Sequence, residues 1–267
     1  MLGKLLKHEF RATARVMLPL YLVLLAISLC GNFATRVMEH SSSQLLNLVG
    51  SLTIFAFFIG LIAVSLMSLY LMISRFHKNL LTDEGYLMFT LPVSVHGLIV
   101  SKIIVSTVWF ILTGVVDVLA FLFLFFRVGY VQTFFQGLGR LLKDMTSYYA
   151  VNLTTLGLEL LVLSILSCAA FCLLVYASAA LGHSFANHKI LLSFAFFFGF
   201  TWVSQFISLG GILVLDGMDF NFYLLEHLSP VAQAHIMLLG LILAELVYCV
   251  IFYIITAVTL QKRINLE

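Results

Sequence analysis

Residues 98–126 read LIVSKIIVSTVWFILTGVVDVLAFLFLFF, with Lys102 and Asp117 as the only charged side chains. An α-helix needs ~20 predominantly apolar residues to cross the hydrocarbon core of a bilayer, and this run exceeds that. Strands of a membrane barrel would alternate apolar and polar residues over short stretches. The run does not alternate, so it reads as a membrane-crossing helix. Five more runs of the same character accompany it, at approximately 17–34, 45–74, 150–181, 190–215 and 231–260. Several are longer than the minimum and are expected to tilt or to extend beyond the lipid. The expected fold is all-α, with six transmembrane helices forming a single membrane domain over residues 1–267.

Composition supports this. The chain is 62% hydrophobic and 10% charged, with a mean hydropathy of +1.12. A soluble domain carries roughly 25% charged residues because water must be faced somewhere. A net charge of +2 gives no reason to expect nucleic acid as a partner; membrane lipid is the expected surroundings. Cys30, Cys168, Cys172 and Cys249 all lie inside apolar runs, where free cysteine behaves as a small hydrophobe. Cys168 and Cys172 share a helix face, but no histidine or carboxylate is near in sequence to complete a metal site. The first residues are charged through Arg15 and show no small-residue cleavage pattern, so a removable signal peptide is not expected.

Lysine and arginine set the orientation. With the N-terminus inside, the inner side holds Lys4, Lys7, Arg11, Arg15, Arg75, Lys78, Lys102, Lys189, Lys262 and Arg263, and the outer side Arg36, Arg127, Arg140 and Lys143. Ten against four is the bias that the positive-inside rule requires, and six spans then place both termini in the cytoplasm. Before the first span, Leu2, Leu5, Leu6 and Phe10 recur at helical spacing while Lys4, Lys7, His8 and Arg11 occupy other faces. This pattern suits an N-terminal amphipathic helix in the inner interface, or a simple topogenic charge cluster. The outer segment 127–149 mixes Phe134, Phe135, Leu138, Leu141 and Leu142 with Gln136, Arg140, Lys143 and Asp144, which suits a short helix on the outer interface. Ser229-Pro230 has the form of an N-cap followed by proline at the first helical position.

The inner segment 75–94, RFHKNLLTDEGYLMFTLPVS, is the most informative chemically. Basic Arg75 and Lys78 precede acidic Asp83 and Glu84, and Tyr86, Leu87 and Phe89 follow. Thr82 is placed to cap a helix with Asp83 and Glu84 in its first turn, the end that favours acids. Pro92 disfavours helix at Leu91 and closes the element. The expected product is a short helix presenting charge and aromatic surface to a soluble partner.

The run from Asp83 to Ser94, with the opening Leu5-Leu-Lys-His-Glu-Phe10, the six-span layout and the basic tail, resembles ABC-2-type transporter permeases of Gram-positive bacteria. The resemblance implies that this chain is the membrane-spanning permease subunit of an ATP-driven exporter in the bacterial cell membrane. It further implies that Thr82, Asp83, Glu84, Gly85, Tyr86, Leu87, Phe89 and Pro92 belong to a coupling helix, between spans two and three, that docks on a cytoplasmic ATPase. ATP and Mg would be bound by that partner, and a second permease chain, identical or related, would complete the pathway. The sequence itself holds no G-x-x-x-x-G-K-[S/T] phosphate loop; Gly137-Leu-Gly-Arg140 lacks the spacing. No cofactor is expected in this chain, and no enzyme activity of its own.

Asp117, Glu159 and Glu245 lie inside apolar runs, where an uncompensated charge costs at least ~2.5–3.5 kcal/mol and so faces the protein interior. Asp117 and Glu159 fall at similar depth on consecutive antiparallel spans. They are candidates for sharing a proton or binding a cation, or each for a hydroxyl or backbone partner, and Glu245, with His235 nearer the outer end of its span, is weighed in the same way. An ion-coupled secondary transporter using these three acids is the alternative function. Span five carries Phe194, Phe196, Phe197, Phe198, Phe200, Trp202 and Phe206, readable as lipid-facing bulk or as a lining for lipid-like cargo. Span four steps through Ser164, Cys168, Cys172 and Ala180, a small-residue row interrupted by Tyr176 that permits close helix approach. His183 and His188 lie in a short inner loop, solvated or touching an ATPase. An intramembrane enzyme lacks any H-E-x-x-H or G-x-S-x-G signature.

Overall fold

The structure, a computed structural model, describes residues 2–40, 43–82, 94–126, 128–147, 151–185, 187–217 and 228–262. Among the described residues it is helical, with no strand: α1 (Leu2–His40), α2 (Gln44–Leu80), α3 (Val95–Leu124), α4 (Val128–Ser147), α5 (Leu153–Gly182), α6 (Lys189–Gly217) and α7 (Pro230–Lys262). All except α4 are long and apolar enough to cross a bilayer, and each contains one of the six expected runs almost entire. The segment preceding the first span is not a separate element. Residues 2–15 continue into the span as one helix of 39 residues, through Pro19. At 1.5 Å per residue that helix is about 58 Å long, nearly twice the hydrocarbon thickness, so much of it lies beyond the lipid core.

Polar side chains start three of the helices. Ser94 Oγ accepts from Gly97 N at 3.2 Å and opens α3 two residues after Pro92. Asn152 accepts from both Thr154 N at 3.1 Å and Thr154 Oγ1 at 2.6 Å, capping α5. Ser229 Oγ accepts from Ala232 N at 3.3 Å, so the Ser229-Pro230 pair starts α7 as its form implies. Segment 127–149 supplies α4, an amphipathic helix whose leucines and phenylalanines are exposed. Gly137, Gly139 and Arg140 are helical within it, and so form no phosphate loop.

The chain divides into two compact units, one of Met1–Arg75 with Ile104–Gly139 and the other of Phe76–Ile103 with Arg140–Glu267. In the first unit Met17, Tyr21 and Leu24 of α1 pack with Phe57 and Val64 of α2 and with Val105, Trp109, Val116, Ala120 and Leu124 of α3. The three-and-four spacing of the α1 residues is what aligns them on one stripe. Around Trp109 the polar side chains of this core are matched. Trp109 Nε1 donates to Thr13 Oγ1 at 2.7 Å, and Thr113 Oγ1 donates to the Trp109 carbonyl at 2.8 Å. With its proton so committed, Thr113 Oγ1 accepts from Tyr21 OH, also at 2.8 Å.

In the second unit α5 packs against α6 and α7. Leu173, Ala177 and Phe252 form its buried centre, with the Phe200 ring tilted at 57° to that of Phe252 and 5.5 Å between ring centres. Cys172, Tyr176 and Ala180 of α5 are fully buried, whereas Ser164 is exposed. Tyr176, which interrupts the small-residue row in the sequence, is thus part of the interior and stacks on Phe76 at 4.1 Å. The aromatics of α6 sort by face. Phe194, Phe198, Trp202 and Phe206, four residues apart, are exposed, while Phe196 and Phe200 turn inward.

Candidate functional site

Two places carry the polar chemistry: the C-terminal end of α2 and the interior stripes that hold carboxylates. At the first, α2 ends with Leu81 N donating to the His77 carbonyl at 2.9 Å and Thr82 Oγ1 donating to the Lys78 carbonyl at 2.6 Å. Thr82 therefore closes the last turn of α2. Asp83, Glu84, Gly85, Tyr86, Leu87, Phe89 and Pro92 lie outside the described residues.

His77, one turn earlier, meets His183 just past α5, with Nε2 to Nε2 at 3.0 Å. The second nitrogen of His183, Nδ1, is 2.9 Å from the Ala179 carbonyl. A carbonyl only accepts, so His183 Nδ1 carries hydrogen. In its neutral form His183 then accepts through Nε2, and His77 Nε2–H donates. Adding a proton to His183 Nε2 would set two N–H groups against each other. Burial, at 6% exposure, pushes the His183 imidazole below its ordinary range; the Ala179 carbonyl opposes this and the Lys189 cation adds to it. His183 is thus an interior group holding two helices, and not a solvated loop residue.

The three carboxylates each lie on an inward-facing stripe and each has a partner inside its own unit. In the first unit Ser65 Oγ of α2 donates to Asp117 Oδ2 of α3 at 3.1 Å, while Oδ1 is buried with no hydrogen-bond partner among the described residues. In the second unit Ser167 Oγ of α5 donates to Glu245 Oε1 of α7 at 3.2 Å. Glu159 Oε2 of α5 lies 2.7 Å from His235 Nδ1 of α7, with side-chain exposures of 12% and 22%. Among the described residues no three His, Cys, Asp or Glu side chains converge as a metal site would need. Cys172 is fully buried and Cys249 Sγ donates to the Leu166 carbonyl at 3.6 Å, which are packing roles.

Chemically, the Glu159–His235 pair links two helices through ionisable side chains, and Asp117 can accept one further donor. The His77–His183 contact is absent from the sequence reading because the partners are 106 residues apart and neither belongs to a motif. The Glu159–His235 contact did leave a signal: Glu159 lies six residues beyond Leu153 and His235 five beyond Pro230, so helices starting on the same side bring them to one level.

The chain matches no family model, no curated protein and no solved structure.

Proposed function

We propose that the chain is the membrane-spanning permease subunit of an ATP-driven ABC exporter of the ABC-2 type. Its surroundings are the bacterial cell membrane, with both termini in the cytoplasm. The observation that carries this reading is the sequence of segment 75–94, where a basic start, the Asp83-Glu84 pair, an aromatic surface and Pro92 follow each other between two spans. Six helices long and apolar enough to cross a bilayer are compatible with it. ATP and Mg are bound and used by separate ATPase subunits. Their closure is transmitted through the coupling segment to the helices of this chain and of a second permease, whose rocking exposes the pathway alternately to either side. In a reconstituted complex, reversing the charges at Asp83 and Glu84 uncouples ATP hydrolysis from export. Coupling that survives the reversal contradicts the assignment.

A second reading, an ion-coupled secondary transporter, is favoured by the Glu159–His235 pair, since an intramembrane ionisable pair is the usual form of a proton relay. It predicts gradient-driven transport by this chain alone, abolished by neutralising Asp117, Glu159 and Glu245.

A further inference from the structure

The first unit contains a groove of about 880 Å³, open to the surface, between the later turns of α3 and the start of α4, with Leu61 of α2 also in its lining. Its size is that of a small-molecule site, ~300–1,000 Å³. The lining is apolar, with Phe121 from α3, Phe125 just past its end and Val131 and Phe134 from α4, except for one side chain, Asp117. Ser65 satisfies Asp117 Oδ2, but Oδ1 is buried without a hydrogen-bond partner among the described residues. An acceptor left unpaired away from water is unfavourable, and most such groups in folded proteins are matched. Asp117 lines this groove, but Oδ1 itself has no exposed surface, so a donor removes that penalty only once a neighbouring side chain moves.

A lipid tail alone would fill the apolar volume and leave Oδ1 as it is. A cation without an apolar body would satisfy Oδ1 and leave the phenylalanines uncovered. One ligand class answers both. We propose that the groove is a binding site for a lipophilic cation, its apolar tail among the phenylalanines and its protonated amine on Asp117. The head group reaches Oδ1 by displacing the side chains that cover it. There the faces of the neighbouring phenylalanines add a further attraction for positive charge. As a cargo site this deepens, and rests on, the exporter reading; binding itself is a property of the chain alone and is measured without an ATPase.

The test uses the full chain in nanodiscs of zwitterionic phosphatidylcholine, with empty discs subtracted. The probes are a fluorescent dodecylammonium and the matching fluorescent dodecanol. The expected result is saturable binding of the ammonium, at least tenfold weaker in Asp117→Asn, with the alcohol binding weakly and equally to both proteins. Equal ammonium binding by wild type and Asp117→Asn overturns the proposal, as does alcohol binding as tight as that of the ammonium, which would mark a site for any acyl chain. If Asp117→Asn does not fold, Val131→Trp decides. It fills the groove from α4 and leaves the carboxylate in place, and it should weaken ammonium binding at least tenfold; unchanged binding overturns the proposal. Failure here leaves association with an ATPase untouched, and failure of that association leaves this binding result standing.

Discussion

His235 Nδ1 of α7 lies 2.7 Å from Glu159 Oε2 of α5, a close polar contact between two packed apolar helices. Replacing either residue by leucine leaves the other facing an apolar seam without its partner. Interhelical polar pairs in membranes are worth ~0.6 kcal/mol on average and up to ~1.7. This short pair between ionisable groups belongs at the upper end. Glu159→Leu and His235→Leu should each cost about 1–2 kcal/mol in unfolding by denaturing detergent, and the double replacement should cost less than their sum by about 1 kcal/mol. Strict additivity would show that the contact contributes nothing.

Stability should depend on pH through His183. Its folded-state value is depressed below the ordinary 6.5 chiefly by burial, so the unfolded chain binds the proton more readily. The stabilisation is fully present above about pH 6.5 and is lost as pH falls through the folded value. Protonation of Nε2 also removes the bond from His77, worth about 1 kcal/mol, or about 2–4 °C for a chain of this size. The apparent melting temperature of the wild type should be flat from pH 7 to 8.5 and fall as pH drops below 6.5. His183→Gln, whose amide oxygen still accepts from His77, should flatten that fall; an unchanged profile would assign the pH dependence elsewhere.

Gly182 is required by a close approach. A Cβ there would stand 2.7 Å from Ser193 Cα, a backbone atom that cannot swing aside. Gly182→Ala should therefore destabilise by about 1–3 kcal/mol through overpacking of α5 against α6. At Gly199 and Gly240 a Cβ meets nothing within 4 Å, and alanine should be neutral or stabilising by up to about 1 kcal/mol. Thermal unfolding of the three variants side by side checks the contrast.

Asn32 closes the C-terminal end of α3 from α1. Its Nδ2 donates to the carbonyls of Leu124 at 3.0 Å and Phe126 at 2.9 Å, and Arg36 Nη2 donates to the same Phe126 oxygen at 3.0 Å. The last carbonyls of a helix have no partner within it. Asn32→Leu should cost about 1–3 kcal/mol, because the Leu124 oxygen loses its donor in an apolar setting. Arg36→Ala should cost less, since Asn32 still serves Phe126. Equal losses on denaturation would mean that the asparagine has no special part.

The spans were legible in the sequence because lipid imposes one requirement over a long stretch, and residues 98–124 meet it with Lys102 and Asp117 as their only charges. Local chemistry was legible too: Ser229-Pro230 starts α7 because a cap depends only on its neighbours. Asp117, Glu159 and Glu245 lie on inward stripes, as the cost of a charge in lipid demands. What stayed hidden were pairings that depend on which helices pack. Tyr176 looks like a break in a small-residue row until Phe76 is found stacked on it. His183 looks like a loop residue until His77 arrives from a distant helix end. Residues 2–15 look distinct from the first span in the sequence, since amphipathic and apolar patterns differ, but helical hydrogen bonding carries α1 through both.

Association with an ATPase is what copurification measures. The full chain, tagged and extracted from native membranes in mild detergent, should bring down a nucleotide-binding ATPase subunit in stoichiometric amount, identified by mass spectrometry and by ATP hydrolysis in the eluate. A chain that emerges from such membranes without any nucleotide-binding partner would contradict the account.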